Sequence, residues 1–268
     1  MSKLPNFVSN KKYWSILNKL IFGDNLGCPI CKMNLLENYQ AKYLWCRYCR
    51  RKYRATAYKS NWLYGMKLKP RQLFILLWCW QNKKSPDTAR LLAFTSYTSV
   101  QRWYQRFRLQ LPMSDEVKLS ELVAADESFF GRLRSRQDQE IVLGVISHIN
   151  QLRLITVKQR DAETLSSFIC DTVKEGALVL TDEWRGYNEL ENWGYAREAW
   201  NHSRGRYAGT NQIERVWSAM KRYLRKLYGC VPTKYLSQIM HEWEARHNFP
   251  QLFNNPETYL ATCLFHVS

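Results

Sequence analysis

Three acidic residues stand out in the second half of the chain. Asp126 interrupts the apolar run Leu122-Val-Ala-Ala-Asp-Glu-Ser-Phe-Phe130, and Asp182 closes another, Ala177-Leu-Val-Leu-Thr-Asp182. Glu214 lies in a strongly helical stretch, Thr210-Asn-Gln-Ile-Glu-Arg-Val-Trp-Ser-Ala-Met-Lys221. A carboxylate in an apolar strand needs a partner or a metal, and strand ends beside a crevice are where sheet proteins place chemistry. Taken singly, an acid at a strand end is usually a cap and a helical Glu is usually solvated. The ordered set reads differently: two neighbouring strands and one helix can bring three carboxylates together, and their repulsion then calls for divalent cations. Two Mg²⁺ (or Mn²⁺) ions roughly 3.5–4 Å apart can activate an attacking oxygen and stabilise a leaving one. The residues themselves therefore point to a two-metal hydrolase or transferase acting on phosphodiesters.

A second constellation lies near the N-terminus. Cys28-Pro-Ile-Cys31 and Cys46-Arg-Tyr-Cys49 are two C-x2-C pairs, a spacing that closes a tetrahedron around one zinc ion with a hairpin between the pairs. A redox C-x-x-C is the alternative, but it does not account for two copies. Four protein ligands leave no open position, so the expected Zn²⁺ is structural and folds a segment too small to fold alone. Around it stand Lys42, Arg47, Arg50, Arg51, Lys52 and Arg54, a phosphate-facing cluster. Cys79, Cys170, Cys230 and Cys263 are scattered and read as buried small hydrophobes.

Charge separates the chain into two parts. Residues 1–115 hold 21 Lys/Arg against 4 Asp/Glu, whereas residues 116–268 hold 19 of each, so the net +17 sits wholly in the front. This asymmetry suggests a polyanion partner, and the interleaved Trp, Tyr and Phe suit phosphate contact better than plain solvation. The longest apolar run, Leu73 to Trp80, falls far short of the roughly 20 residues of a membrane helix, and the N-terminal MSKLPNFVSNKK has no apolar signal segment. A cytoplasmic, nucleoid-associated protein with no membrane partner is expected.

Those residues need elements to hold them. Spacing predicts a short helix over 11–22, short strands over 28–58, and three helices over 70–82, 85–94 and 97–111, with Pro70 at a first helical position and Ser85 as an N-cap. After Pro112, strands are predicted at 121–130, 140–149 and 151–157, with Asn150 and Gln151 at the turn between the last two. A helix over 161–174, strands at 177–181 and 196–200, and helices over 210–228 and 233–248 follow. This order implies a mixed α/β sheet flanked by helices. The expected domains are 1–60, an N-terminal helix and zinc ribbon; 61–115, a helix-turn-helix; and 116–268, the carboxylate domain.

The helices over 70–111 have helix-turn-helix proportions. In the last one, Val100, Trp103, Tyr104 and Phe107 fall at inward spacing. Gln101, Arg102, Gln105 and Arg108 are expected to point out, where they could read base edges in a major groove. A charged face on an ordinary helical bundle is the plainer reading, and the adjacent cysteine knuckles and charge favour DNA.

The whole arrangement resembles the RNase H-fold, integrase-like DDE transposases. In particular it looks like bacterial insertion-sequence transposases with a zinc ribbon in front, relatives of the eukaryotic Merlin elements. The match rests on the four cysteines, Asp126-Glu-Ser-Phe-Phe-Gly131, Thr181-Asp-Glu-Trp-Arg-Gly-Tyr187, Asn201-His-Ser203 and Gly209 to Lys221. A single glycine, Gly131, follows the first acidic motif where relatives often have two. The resemblance implies an RNase H-like catalytic domain with Asp126, Asp182 and Glu214 as metal ligands. Asn211 sits one turn before Glu214 as an accessory or competing ligand, and Lys221, two turns after it, contacts DNA. His202 could approach the phosphate or the metal, or be a hydrogen-bonded structural histidine. Gly186 and Tyr187 shape the turn after Asp182, and Trp217 belongs to the core. Lys221, Arg222, Arg225 and Lys226 would line a backbone-binding edge.

The activity so implied is DNA transposition. Water cleaves at the element end to leave a 3′-hydroxyl, and that hydroxyl attacks target DNA. The implied partners are double-stranded DNA, as terminal repeats and target, and a second copy of the chain on it. Two alternatives stand beside this reading: a DNA-binding regulator whose catalysis has lapsed, and a structure-specific nuclease that cuts without joining.

Overall fold

The computed structural model describes residues 6–57, 61–114, 117–131, 139–200, 210–229 and 233–265. Its contacts divide the chain into two compact units, Met1–Pro112 with Gln251–Ser268, and Met113–Pro250. His202 and Cys230 lie outside the described residues.

In the first unit, helix α1 (Asn10–Phe22) starts at Ser9, whose hydroxyl accepts from the Lys12 amide. It leads to a three-stranded antiparallel sheet, β1 (Leu36–Glu37), β2 (Leu44–Cys46) and β3 (Arg51–Tyr53), in that order. The two are tied by Asn18, fully buried, which donates to the Ala41 carbonyl at 2.7 Å and to Glu37 Oε1 at 2.9 Å. Three helices follow: α2 (Pro70–Gln81), α3 (Pro86–Ala93) and α4 (Tyr97–Leu109). Ser85 and Ser96 cap the latter two, each accepting from the amide three residues on. Helix α2 is buried on every side from Leu73 to Gln81, as a central helix must be.

A last helix, α8 (Pro256–Cys263), also belongs to this unit. Eight residues give too little periodicity to announce it in the sequence. What holds it here is specific: the Tyr259 hydroxyl donates to the Phe107 carbonyl at 2.7 Å, and Gln81 Nε2 donates to the carbonyls of Leu252 and Asn255. The Trp80 ring packs among Phe107, Phe253 and Tyr259. Among the described residues no helix is long and apolar enough to cross a membrane.

The second unit is a five-stranded mixed sheet in the order β6-β5-β4-β7-β8. Strands β4 (Leu122–Phe130), β5 (Glu140–Ser147) and β6 (Leu152–Val157) form an antiparallel meander. Helix α5 (Ala162–Thr172) leads to β7 (Leu178–Asp182), which lies parallel to β4, and β8 (Ala196–Trp200) lies parallel to β7. Helices α6 (Asn211–Tyr228) and α7 (Leu236–Asn248) complete the unit. Asp161 caps α5, accepting from the Thr164 amide at 2.8 Å, a bond that holds its carboxyl below the ordinary range.

Alternation along β4 divides its side chains between two cores. Ala124 and Phe130 pack with Val142, Ile146 and the α6–α7 pair. Val123 and Ala125 pack with Val145, Val179, Phe168 of α5 and Tyr187. The α6–α7 pair is pinned internally: the buried Glu242 carboxylate accepts from the Tyr223 hydroxyl at 2.5 Å and from Arg246 Nε at 2.8 Å.

Gly144 of β5 pairs with Asp126 across the ladder. A Cβ there would lie 2.6 and 2.7 Å from the Trp217 ring of α6, and 3.0 Å from Leu154 Cδ2. Only a bare backbone lets the indole lie this low on the sheet. Gly144→Ala should therefore cost about 1–3 kcal/mol through overpacking. A urea melt should show it as a lowered midpoint with unchanged slope, and an unshifted midpoint would mean that the ring can move aside.

Candidate active site and metal centre

Strands β4 and β7 run parallel with an offset of 56 residues, from Leu122 opposite Leu178 to Ala124 opposite Leu180. The same offset carried two residues further sets Asp126 level with Asp182. By alternation Asp126 shares the face of Ala124 and Phe130, beneath α6. There the Trp217 indole Nε1 donates to Asp126 Oδ2 at 2.9 Å. Trp217 thus belongs to the core, as its apolar setting predicts, and also grips a candidate ligand. Asp182 Oδ1 accepts from the Trp184 amide at 3.0 Å, and its main-chain carbonyl accepts from Arg197 Nη2.

Glu214 stands in the first turn of α6 and accepts from the Thr210 hydroxyl at 3.1 Å. Glu214, Trp217 and Lys221 recur at i, i+3 and i+7, one face of the helix. Lys221 reaches over the Phe130 ring, with Nζ 5.5 Å from its centroid. Asn211, one turn before Glu214, lines a groove of about 290 Å³ with Glu214, Arg215, Ser218 and Arg222. It also lines a neighbouring cavity of about 690 Å³ that runs to Asn150, Gln212 and His247.

Burial pushes the Asp126 carboxyl up to about 7, the charge of Glu127 adds to this, and Asp182 contributes further. Hydrogen bonds from the Glu127 amide and Trp217 pull the other way without prevailing. An acid so destabilised as an anion fits a place where a cation would supply the missing stabilisation. The three carboxylates are not drawn onto a single point, however. Among the described residues, the four cysteines are the one group of three or more candidate ligands whose donor atoms all lie within 4.8 Å of one another.

The opposite face of β4 holds a residue that sequence reasoning did not single out. Glu127 is nearly inaccessible, and its carboxylate accepts from Arg160 Nη1 at 2.8 Å and from the Tyr187 hydroxyl at 2.9 Å. Arg160 lies against two rings, 5.2 Å from the centroid of Phe129 and 4.6 Å from that of Trp184. Trp184 in turn covers Gly186, where any Cβ would collide with the indole. The turn after Asp182 is thereby clamped from beneath by Glu127, Arg160 and Tyr187. A signal was available: the apolar run that makes Asp126 costly makes Glu127 equally so, on the other face.

The cysteines do converge. Their Sγ atoms lie within 4.8 Å of one another, with Cys31 and Cys46 3.5 Å apart. Ligands at the Zn–S length of about 2.3 Å place their sulfurs about 3.8 Å apart. The two knuckles repeat one backbone shape, each followed by a residue of positive φ, Lys32 at 62° and Arg50 at 50°. Cys49 is pushed up to about 12, first by hydrogen bonding with Cys31 and then by burial and the other two thiols. At Cys28 burial opposes ionisation, but hydrogen bonds with Tyr53 and with the backbone of Cys31 and Ile30 bring it down to about 6. Four thiols this close cannot all ionise without a cation, and the donor set fits one zinc ion.

Of the basic cluster, Arg47, Arg50, Arg51 and Lys52 are exposed, and Arg54 is half-buried with Nε donating to Thr56 Oγ1. On α4, Val100, Trp103, Tyr104 and Phe107 are buried, Gln101 and Arg102 are exposed, and Gln105 is half-exposed. Arg108 departs from expectation. It is 7% exposed and does not point out, because it follows Tyr104 by four residues and so shares its buried stripe. Arg106, exposed beside the Trp103 ring, holds the outer position instead. Cys79 and Cys263 are fully buried, whereas Cys170 is only half-buried.

Residues 118–248 match the model of the ISXO2-like transposase domain. No curated protein matches the chain. Among matching solved structures is a chain of the cryo-EM structure of the simian T-cell lymphotropic virus intasome in complex with PP2A regulatory subunit B56 gamma. It is 10% identical, with 72% of this chain and 75% of that chain covered at a TM-score of 0.35, a likeness too loose to bear on any residue. With its five-stranded mixed sheet and helices, the segment 118–248 is an insertion-sequence DDE transposase domain of the ISXO2-like family.

Proposed function

We propose that this protein binds DNA at the ends of a mobile element, cleaves it and joins the freed end to target DNA, using Asp126, Asp182 and Glu214. What carries this reading is the presence of Asp126 and Asp182 on adjacent parallel strands, where the register continued beyond Ala124 and Leu180 sets them level, with the Asp126 carboxyl pushed up by burial and like charge. Two divalent cations, Mg²⁺ or Mn²⁺, held by these carboxylates would supply the Lewis acidity that phosphoryl transfer requires. Trp217 keeps Asp126 oriented, and the Glu127–Arg160–Tyr187 clamp fixes the turn that presents Asp182. Glu214 lies one turn from Trp217 on the same face of α6 and is proposed as the third ligand, reached by a rearrangement that frees it from Thr210. Asn211, one turn before Glu214, is the candidate accessory ligand. Lys221, Arg222, Arg225 and Lys226 would neutralise the phosphate backbone beside the site.

In the N-terminal unit, the proposed division of labour is a zinc ribbon within residues 1–60 and a helix-turn-helix within 61–115, together recognising terminal repeats. Exposed Gln101 and Arg102 and half-exposed Gln105 on α4 are the candidates for base contact. Joining requires two ends to be held at once, which implies at least two copies of the chain on DNA.

The deciding experiment is strand transfer with Mg²⁺ and labelled element ends. Joined products that disappear in Asp182→Ala support the reading. Binding without cleavage in either Mg²⁺ or Mn²⁺ would identify a regulator, and cleavage without joining a nuclease. Trp217→Phe keeps a ring in the core but removes the donor to Asp126. It should lower activity about 10- to 100-fold, the usual effect of losing a partner behind a metal ligand; full activity would show that Asp126 needs no such hold. Freshly purified protein should carry about one equivalent of zinc, lost in Cys46→Ser together with the order of residues 28–54. Metal-free, folded wild-type protein would contradict a structural zinc.

A further inference from the structure

The ribbon sheet has two unlike faces. Leu44 and Cys46 of β2 turn inward and are fully buried. Trp45 between them turns outward and is 43% exposed. Its cross-strand neighbours are Leu36 on β1 and Lys52 on β3. Leu36 is itself 42% exposed, so the row reads apolar, aromatic, basic across three strands.

The next row follows the same register. Asn38 donates its amide to the Tyr43 carbonyl, and Arg54 lies at the position opposite Tyr43. Lys52 Nζ sits 3.8 Å from the Tyr43 ring centroid, with Lys42 beside the same ring. The outer face of the ribbon therefore carries one open aromatic ring, Trp45, next to Tyr43, whose ring is covered by Lys52, with Lys52 and the half-buried Arg54 along the neighbouring strand. Exposed Arg47 and Arg50 stand in the knuckle that joins β2 to β3.

We propose that this face is a stacking platform for unpaired bases of single-stranded DNA. Trp45 on the central strand offers an open π-face, and Lys52 on the neighbouring strand offers a cation at the spacing of one strand, so that a nucleic acid backbone following β3 lays a base over Trp45. Base stacking on aromatic side chains beside a basic track is how single strands are bound without sequence preference. Duplex DNA fits this face poorly. The outer strands of a three-stranded sheet are about 10 Å apart before side chains are added, whereas a major groove about 12 Å wide admits a helix or a two-stranded ribbon. Trp45, on the middle strand, would meet a duplex backbone and not a base. The occupant is negative because the flanking residues are uniformly positive, which disfavours a second copy of this basic face.

This inference rests on the reading of the protein as a DNA transposase and assigns one of its surfaces to a form of DNA that reading does not require. The test uses the full-length, zinc-loaded chain with a fluorescein-labelled 12-nucleotide single strand and the corresponding duplex, followed by anisotropy at fixed salt. Trp45→Ala should weaken single-strand binding roughly 10-fold or more, with duplex binding changed less than about 2-fold. Trp45→Phe should retain most of the single-strand affinity. Lys52→Ala should weaken single-strand binding and reduce its salt slope by about one unit. Unchanged single-strand binding in Trp45→Ala overturns the platform, as does an equal loss on both forms of DNA. Loss of self-association without loss of single-strand binding would assign the face to a second copy instead. A wild-type chain that binds neither form overturns the transposase reading itself. One that binds and joins duplex ends while ignoring Trp45→Ala overturns only the platform.

Discussion

Placing a carboxylate on the central strand of a buried sheet is the constraint around which the second unit is arranged. Asp126 has strands on both sides and a helix above, and burial, with the charges of Glu127 and Asp182, pushes its carboxyl up to about 7. Such a group persists in a fold only if its surroundings hold it in place. Here the hold comes from the Trp217 indole, and the indole fits only because the residue paired with Asp126 is Gly144. The acid, ring and glycine form one stack through β4, β5 and α6. Any account of the site must keep them together, because moving the helix moves the donor.

The other face of β4 meets a second problem of the same kind and answers it differently. Glu127 is buried too, but it is matched by a guanidinium and a phenol. The match is structural: Arg160 and Tyr187 belong to segments on either side of β7, and pairing both with one carboxylate draws those segments under the turn that follows Asp182. Adjacent residues of one strand therefore serve opposite ends. One is left short of partners and suited to a cation; the other has its partners in protein. Desolvation is common to both, and the difference lies in what faces them.

In the N-terminal unit the small three-stranded sheet has almost no core of its own. Leu44 and the convergent thiols fill its inner face, and a metal would take the place of the hydrophobic layer that so short a segment cannot build. The outer face is then free to carry aromatic and basic side chains together, which a sheet dependent on burying both faces could not do. The helices behind it solve stability in the ordinary way, with α2 buried all round and Trp80 at the meeting point of aromatic rings.

The sequence by itself determined a large share of this. The strands and helices of the second unit lie within two residues of where alternation and periodicity put them, except that the last helix starts at Leu236 after a tighter turn at Thr233–Tyr235, because long periodic runs leave little choice of period. The cysteine pairs announced their convergence through spacing, and the charge excess of the front part is a property of composition alone. Other features needed the tertiary structure. Arg108 looked outward on a helical wheel but lies on the stripe of Tyr104. Trp217 read as packing, and its bond to Asp126 depends on the placement of a helix 91 residues away in sequence. Glu127 stood in plain view beside Asp126, yet its role is defined by Arg160 and Tyr187, which only folding brings to it. The helix at Pro256–Cys263 and its attachment through Gln81 and Tyr259 were likewise decided in three dimensions. The physical reason is the same in each case: local pattern specifies which way a side chain faces along its own element, and only packing specifies what it meets there.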